Sequence, residues 1–201
     1  ICALKAHQSY ESAAQFAPLL GPDTAMVTAM NGIPWWYFYK EGGKFEGRHL
    51  ESVDAGARQW NLIGPERAIG CVVDPACEVI APGIIEHHEF NRFILGEPDG
   101  SESDRVKTLS EIMKAAQTKA VTEALNVFIP EEMIERRLNV AGKAIGHKMS
   151  MLQDLERHRS MEIDALVTAV QELGRLTDVP TPTVDILLAL VQERGRQAGL
   201  Y

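Results

Sequence analysis

Apolar residues in this chain come first in short runs and later at helical spacing. Ile1 to Leu4 is an apolar run that gives way at once to Lys5-Ala6-His7-Gln8, as a parallel strand does at its C-terminal edge. Ser9 to Leu20 reads as a helix closed by Gly21-Pro22. Ala25 to Met30 reads as a second buried strand, ended by the turn pair Asn31-Gly32. Strand, helix, strand and turn in this order predict part of an open α/β sheet, whose ligands bind outside the C-terminal strand ends. Four more runs follow: Ala68 to Val73, Ala76 to Ile80, Ile84 to Glu89 and Arg92 to Leu95, with turns at Gly64-Pro65, Pro82-Gly83 and Asn91. They predict a β-meander that extends the sheet with antiparallel edge strands.

The period changes after the polar stretch Glu97-Pro98-Asp99-Gly100-Ser101-Glu102-Ser103. Val106, Leu109, Ile112 and Met113 fall on one face of a helix over Asp104 to Ala116. Further helices are expected over Glu131 to Gly146, Asp164 to Leu176 and Val184 to Ala198, the last set off by Pro180-Thr181-Pro182. The expected fold class is α/β plus all-α: residues 1–100 form part of a Rossmann-type nucleotide-binding domain, and residues 101–201 a helical C-terminal domain.

Charge narrows the function. The 201 residues carry a formal net charge of −8, which argues against a nucleic-acid partner. The consecutive aromatics Trp35-Trp36-Tyr37-Phe38-Tyr39 have no interleaved basic residues, so they read as a packing surface or a subunit contact, not a base-stacking platform. Cys2, Cys71 and Cys77 are an odd number without scaffold spacing, as expected in a reducing cytoplasm. With no leader pattern and no apolar run of about 18 residues, neither export nor a membrane span is expected. Glu86-His87-His88-Glu89 does not read as a metal site, because neighbouring strand residues point to opposite faces. Ala141 to Lys148 fails the spacing of a phosphate loop.

The stretch richest in chemistry is Ser150-Met151-Leu152-Gln153-Asp154, then Leu-Glu-Arg-His-Arg, then Ser160-Met161-Glu162-Ile163-Asp164. By itself it reads as two helix starts: a capping box of Ser150 with Gln153, then a second cap at Ser160 with two carboxylates in the following first turn. Lys5 alone would read as a solvated lysine, and Asn31 as a turn residue.

The whole stretch also resembles the C-terminal signature of the ketopantoate reductases (2-dehydropantoate 2-reductases), and Ala3-Leu4-Lys5-Ala6-His7-Gln8 and Asn31-Gly32 resemble that family's two strand ends. The resemblance implies NADP as cofactor, a small 2-oxo acid as substrate, a cytoplasmic enzyme of pantothenate biosynthesis, and leaves room for a homodimer. It implies that Lys5, Asn31, Ala76 and Glu162 face the cofactor. It implies that Asn31 and the run Ser150, Met151, Leu152 and Gln153 hold the substrate, with Glu162 supporting catalysis beside a lysine and Asp154 supporting that network.

Two parts of the family pattern have no counterpart in these residues. One is the Gly-rich βαβ unit that cradles a pyrophosphate. The other is a middle segment carrying a Trp-x-Lys-Leu pattern, whose lysine is the family's general acid. Lys114 and Lys119 lack that lysine's neighbours. An internal join is therefore expected near residues 113–121, and turnover by the chain as it stands is not. A non-catalytic remnant or interaction module, or a reductase of another 2-oxo acid, are the alternatives.

Overall fold

A computed structural model describes residues 1–115, 119–122 and 148–201. The expected helix over Glu131 to Gly146, the Ala141 to Lys148 stretch apart from Lys148, and residues 116–118 of the expected join lie outside the described residues.

The sheet grows from the two apolar runs at the start. Cys2 bridges Thr28 in parallel fashion: its amide donates to the Val27 carbonyl at 2.8 Å, and its own carbonyl accepts from the Ala29 amide at 2.9 Å. Strand β1, Met26–Ala29, pairs in parallel with β2, Ala68–Val73. Val27, Thr28 and Ile69 are buried, so these strands have no polar face. Helix α1, Ala6–Phe16, connects the Cys2 segment to β1. It begins three residues before the expected start because the Gln8 side chain accepts from the Lys5 amide at 3.2 Å. Its α-helical part ends well before Gly21-Pro22, because Pro18 lacks an amide and tightens the chain into a 3₁₀ turn over Ala17–Leu19. A short helix, α2, Arg58–Ile63, packs against α1.

The expected meander is corrected. Among the described residues, strands β3, Ala76–Ala81, and β4, Ile84–Glu89, pair only with each other, as a separate hairpin. Strand β5, Arg92–Gly96, returns to pair antiparallel with β2 in the main sheet. Asp74-Pro75 separates the two sheets, since proline offers no ladder donor. The hairpin keeps apolar residues in water on both faces: Val79, Ile80, Ile84 and Ile85 are all exposed.

Helix α3, Asp104–Ala115, lies on the sheet, with Val106, Leu109 and Met113 in one cluster with Val27, Ile69 and Leu95. Its start is tied by Arg105, which pairs with the buried Glu97 and donates to the Glu66 carbonyl at 2.9 Å and the Ala68 carbonyl at 3.1 Å. Beyond it, Lys119–Thr122 forms β6, parallel to β5, where helix was expected.

The signature forms α4, Ser150–Glu156. A π-helical turn, Asp164–Thr168, then leads directly into α5, Ala169–Leu176. Helix α6, Pro182–Gln197, starts with proline at its first position, which needs no amide there, and ends with Arg194 and Arg196 in its last turn. Met161, Ile163 and Leu188 make the core of this part. Among the described residues no helix is long and apolar enough to cross a membrane.

The aromatic run is largely core. Trp35, Trp36 and Phe38 are buried and Tyr37 is exposed, and the Trp36 indole donates to the Thr28 hydroxyl at 3.2 Å.

Candidate active site

The C-terminal ends of the Cys2 segment and of β1 open into one cavity of about 290 Å³. Lys5 and Asn31 line it from the strand ends, and Ser150, Gln153, Asp154 and Glu162 from the signature. Residues roughly 120 to 150 positions apart in the chain are therefore brought together.

The strand end and the signature are joined by direct bonds. The Lys5 ammonium donates to Asp154 Oδ2 at 2.6 Å and to the Ser160 carbonyl at 2.7 Å. Asp154 is nearly buried, and this ion pair ties it to the strand end. Glu162 is buried between Met161 and Ile163, and its Oε1 accepts from the Ala6 amide at 3.0 Å, at the first turn of α1. A carboxylate there satisfies a free helix amide and meets the positive end of the helix dipole.

Asn31 is held by its neighbours. The Ile33 amide donates to the Ala165 carbonyl at 3.0 Å, which fastens the Asn31-Gly32 turn to the π-helical turn after Glu162. Gly32 sits at φ 88°, and a Cβ added there would meet the Ala165 Cβ and carbonyl oxygen at 2.7 Å. Only glycine fits that close approach.

The signature's caps differ from the expected ones. Met149 occupies the N-cap of α4, so Ser150 is its first helical residue, and Gln153 Nε2 donates to the Lys148 carbonyl at 2.9 Å. The Ser150 hydroxyl is thereby left for the cavity. Ser160 does not cap either: its hydroxyl meets His7 Nε2 at 3.1 Å.

Three residues singled out in the sequence lie off the cavity lining. Met151 packs against the core around Ile163, and Leu152 is exposed. Ala76 opens β3, while the next residues, Cys77, Glu78 and Val79, line the cavity. Sequence reasoning passed over Glu78, Arg157 and Arg159, which also line it. Arg157 forms an ion pair with Glu78, so the hairpin is pinned to the signature. Glu78 also faces His88 Nε2 at 3.5 Å. A basic spacer inside the signature was the available signal for the two arginines. A second cavity, about 440 Å³, borders Glu162 and is lined by His7, Tyr10, Ser52 and Tyr201, but by none of Lys5, Asn31 or Ser150. No cluster of ligands suited to a metal ion occurs among the described residues.

The Asn31 and Gln153 amides, the Ser150 hydroxyl, three carboxylates (Glu78, Asp154 and Glu162) and three cations line the cavity; Lys5 and Arg157 are paired with Asp154 and Glu78, which leaves Arg159 as the cation that can face an anionic ligand. At about 290 Å³ the cavity stands at the low end of ligand sites, roughly 300–1,000 Å³.

Comparison with known proteins agrees. The model of the C-terminal part of ketopantoate reductase (PanE/ApbA) matches residues 102–195. A 2-dehydropantoate 2-reductase of Mesorhizobium japonicum is 43% identical, with all of this chain and 78% of that protein covered. A solved structure from Ralstonia solanacearum MolK2, assigned to the ketopantoate reductases, superposes with a TM-score of 0.88 at 30% identity, over 98% of this chain and 76% of that one. D-mandelate dehydrogenase, solved with NADH and anilino(oxo)acetate, shares the fold with a TM-score of 0.73 at 16% identity, over 98% of this chain and 75% of that one. The chain belongs to the ketopantoate reductase family. The match to the Mesorhizobium protein runs over 254 positions against 201 residues here, so at least 53 of its positions have no residue in this chain.

Proposed function

We propose that this chain serves the NADPH-dependent reduction of 2-dehydropantoate to pantoate, in the cytoplasm, with the cavity at Lys5, Asn31, Ser150, Gln153 and Glu162 as its active site. The observation that carries the reading is the convergence of these residues on one cavity. The parallel pairing of the Cys2 segment, β1 and β2 supports a Rossmann-type sheet as the cofactor's side. The helices from Ser150 onward support a C-terminal domain as the substrate's side, with the division proposed near residues 100 and 101.

When bound, the nicotinamide supplies the hydride that turns the keto carbon into an alcohol. The chain's own residues position the acid and manage the proton. The Ser150 hydroxyl and Gln153 face the substrate carboxylate, with Arg159 adding positive charge. The Asn31 amide orients the ketone. The oxygen must gain one proton as the carbon gains hydride. An ammonium has three N–H groups, and Lys5 spends two of them on Asp154 and the Ser160 carbonyl. The third is free for the ketone oxygen, and Lys5 is the one ammonium lining the cavity among the described residues. Asp154 and the Ser160 carbonyl hold that group in position. Glu162 holds the start of α1, and with it Lys5, in place.

The second reading, a non-catalytic remnant of the family, is favoured by the positions missing relative to the Mesorhizobium protein and by the absence of a Trp-x-Lys-Leu segment. NADPH oxidation by the full chain with 2-dehydropantoate separates the two. Substrate-dependent turnover lost in Lys5→Gln supports the first, and binding of both ligands without turnover supports the second.

A further inference from the structure

The β3–β4 hairpin walls the polar cavity without belonging to the main sheet. Cys77, Glu78 and Val79 line the cavity, yet among the described residues the two strands pair only with each other. Two strands alone are marginally stable in water, and this pair leaves Val79, Ile80, Ile84 and Ile85 exposed. Little buried apolar surface holds the hairpin down, so it opens at low cost compared with the core strands.

The attachment of the hairpin is uneven along its length. At the base the chain is clamped: the Asp74 amide donates to the Arg92 carbonyl at 3.1 Å, and the Arg92 guanidinium pairs with Asp74 Oδ2 at 2.9 Å. Directly beyond the clamp lie Pro75 on one connection and Phe90 on the other. Pro75 has no amide to give a ladder, and Phe90 stands at φ 57°, a region that bulky residues rarely adopt. Changes of backbone angle are absorbed at such element-terminal positions. Farther out, Glu78 reaches across to the signature. Its Oε1 pairs with Arg157, while its Oε2 faces His88 Nε2 of the same hairpin at 3.5 Å. Glu78 and Arg157 both line the cavity, so their pair ties one wall to the other.

We propose that the hairpin is a lid on the polar cavity, hinged at Pro75 and Phe90 and latched by Glu78 on Arg157. Parting the pair swings the hairpin away from the signature and lets ligands exchange. Remaking it shuts water out. An exposed ion pair is weak enough to be made and broken thermally, which suits a latch. The lid's service to a cofactor and a 2-oxo acid rests on the reductase reading, whereas its motion does not.

The experiment compares the full chain with Glu78→Arg, with Arg157→Glu and with the double variant. Hydrogen exchange read by mass spectrometry follows the motion, and stopped-flow displacement of NADPH follows its consequence. Amides of β3 and β4 are expected to exchange about tenfold faster, or more, than those of β2 and β5. Each single reversal sets like charges against each other and should speed hairpin exchange and NADPH release about two- to tenfold, with circular dichroism unchanged. The double variant remakes the pair and should return both rates toward the starting values. Glu78→Gln, which removes the charge without reversing it, should act in the same direction to a smaller extent. Hairpin exchange as slow as that of β2 and β5, or a double variant no slower than the single ones, overturns the lid and leaves the reductase reading standing. NADPH release that is the same in every variant overturns the lid as a gate. The expected exchange pattern with no NADPH binding at all overturns the reductase reading and leaves the lid.

Discussion

The polar cavity has two walls of unequal construction. One is the seam between the strand ends and the signature. There the Ile33 amide meets the Ala165 carbonyl, the Ala6 amide meets Glu162, and Lys5 meets Asp154, with buried residues behind each contact. The other wall is the β3–β4 hairpin, whose apolar side chains stand in water and which is tied to the signature by the Glu78–Arg157 pair. Backbone hydrogen bonds shielded from solvent fix atoms to fractions of an ångström, whereas an exposed ion pair is worth about 0–1 kcal/mol. The groups that must be held still thus sit on the first wall, and the wall that can yield to an incoming ligand is the second.

The contrast can be broken from either side. Lys5→Gln and Glu162→Ala should have the largest effect, lowering NADPH oxidation on the order of 10²-fold or more while circular dichroism stays unchanged. Loss of fold instead would make both residues structural. Gly32→Ala should come next. Its Cβ cannot coexist with Ala165 at 2.7 Å, so the seam must open, at a cost of about 2–4 kcal/mol in denaturant unfolding. An unchanged midpoint would show that the seam is soft.

Glu97→Gln probes the anchor beneath the seam. Burial pushes the Glu97 carboxyl up, but the Arg105 guanidinium and the Ser103 hydroxyl outweigh it and hold it below the ordinary value of 4.5. A depressed carboxyl contributes stability that is fully present above its unfolded value and lost as pH falls through its folded one. Glu97→Gln should therefore cost about 2 kcal/mol at neutral pH and flatten the loss of stability on acidification below about pH 4.5. The same acid dependence in both proteins would sink the assignment. The smallest effect is expected of Glu78→Gln. It should shift the unfolding midpoint by no more than about 1 kcal/mol, while speeding proteolysis within Ala76–Glu89. A large loss of stability would erase the difference between the walls.

The rigid wall was the one legible in the sequence. The run Ala68 to Val73 is apolar without a break, and its first four residues, Ala68 to Cys71, are buried on both faces, so pattern and burial coincide there. Lys5, Asn31, Ser150, Gln153 and Glu162 were identifiable because they resemble a known signature, and the structure brings them to one cavity. The hairpin was misplaced because the apolar alternation of β3 and β4 reports strand, not which sheet the strand joins. The caps were misread for a similar reason. Ser150 and Gln153 have capping-box spacing, but the chain enters α4 one residue earlier, and local spacing cannot tell a cap from a first helical residue. Contacts such as Glu172 accepting from the Glu51 and Ser52 amides at 2.8 and 2.9 Å leave no trace in sequence at all, since their partners lie some 120 positions away.

That last property has a temporal side. The Lys5–Asp154 and Ala6–Glu162 bonds close loops of 149 and 156 residues. Closing such loops costs chain entropy before any contact repays it, so these pairings form late in folding. A chain emerging from the ribosome holds Lys5 in an unfinished pocket until Asp154 and Glu162 have been made. Ligand affinity is then a property only of the fully folded molecule, and a saturating ligand should raise the melting temperature of the whole chain as one unit.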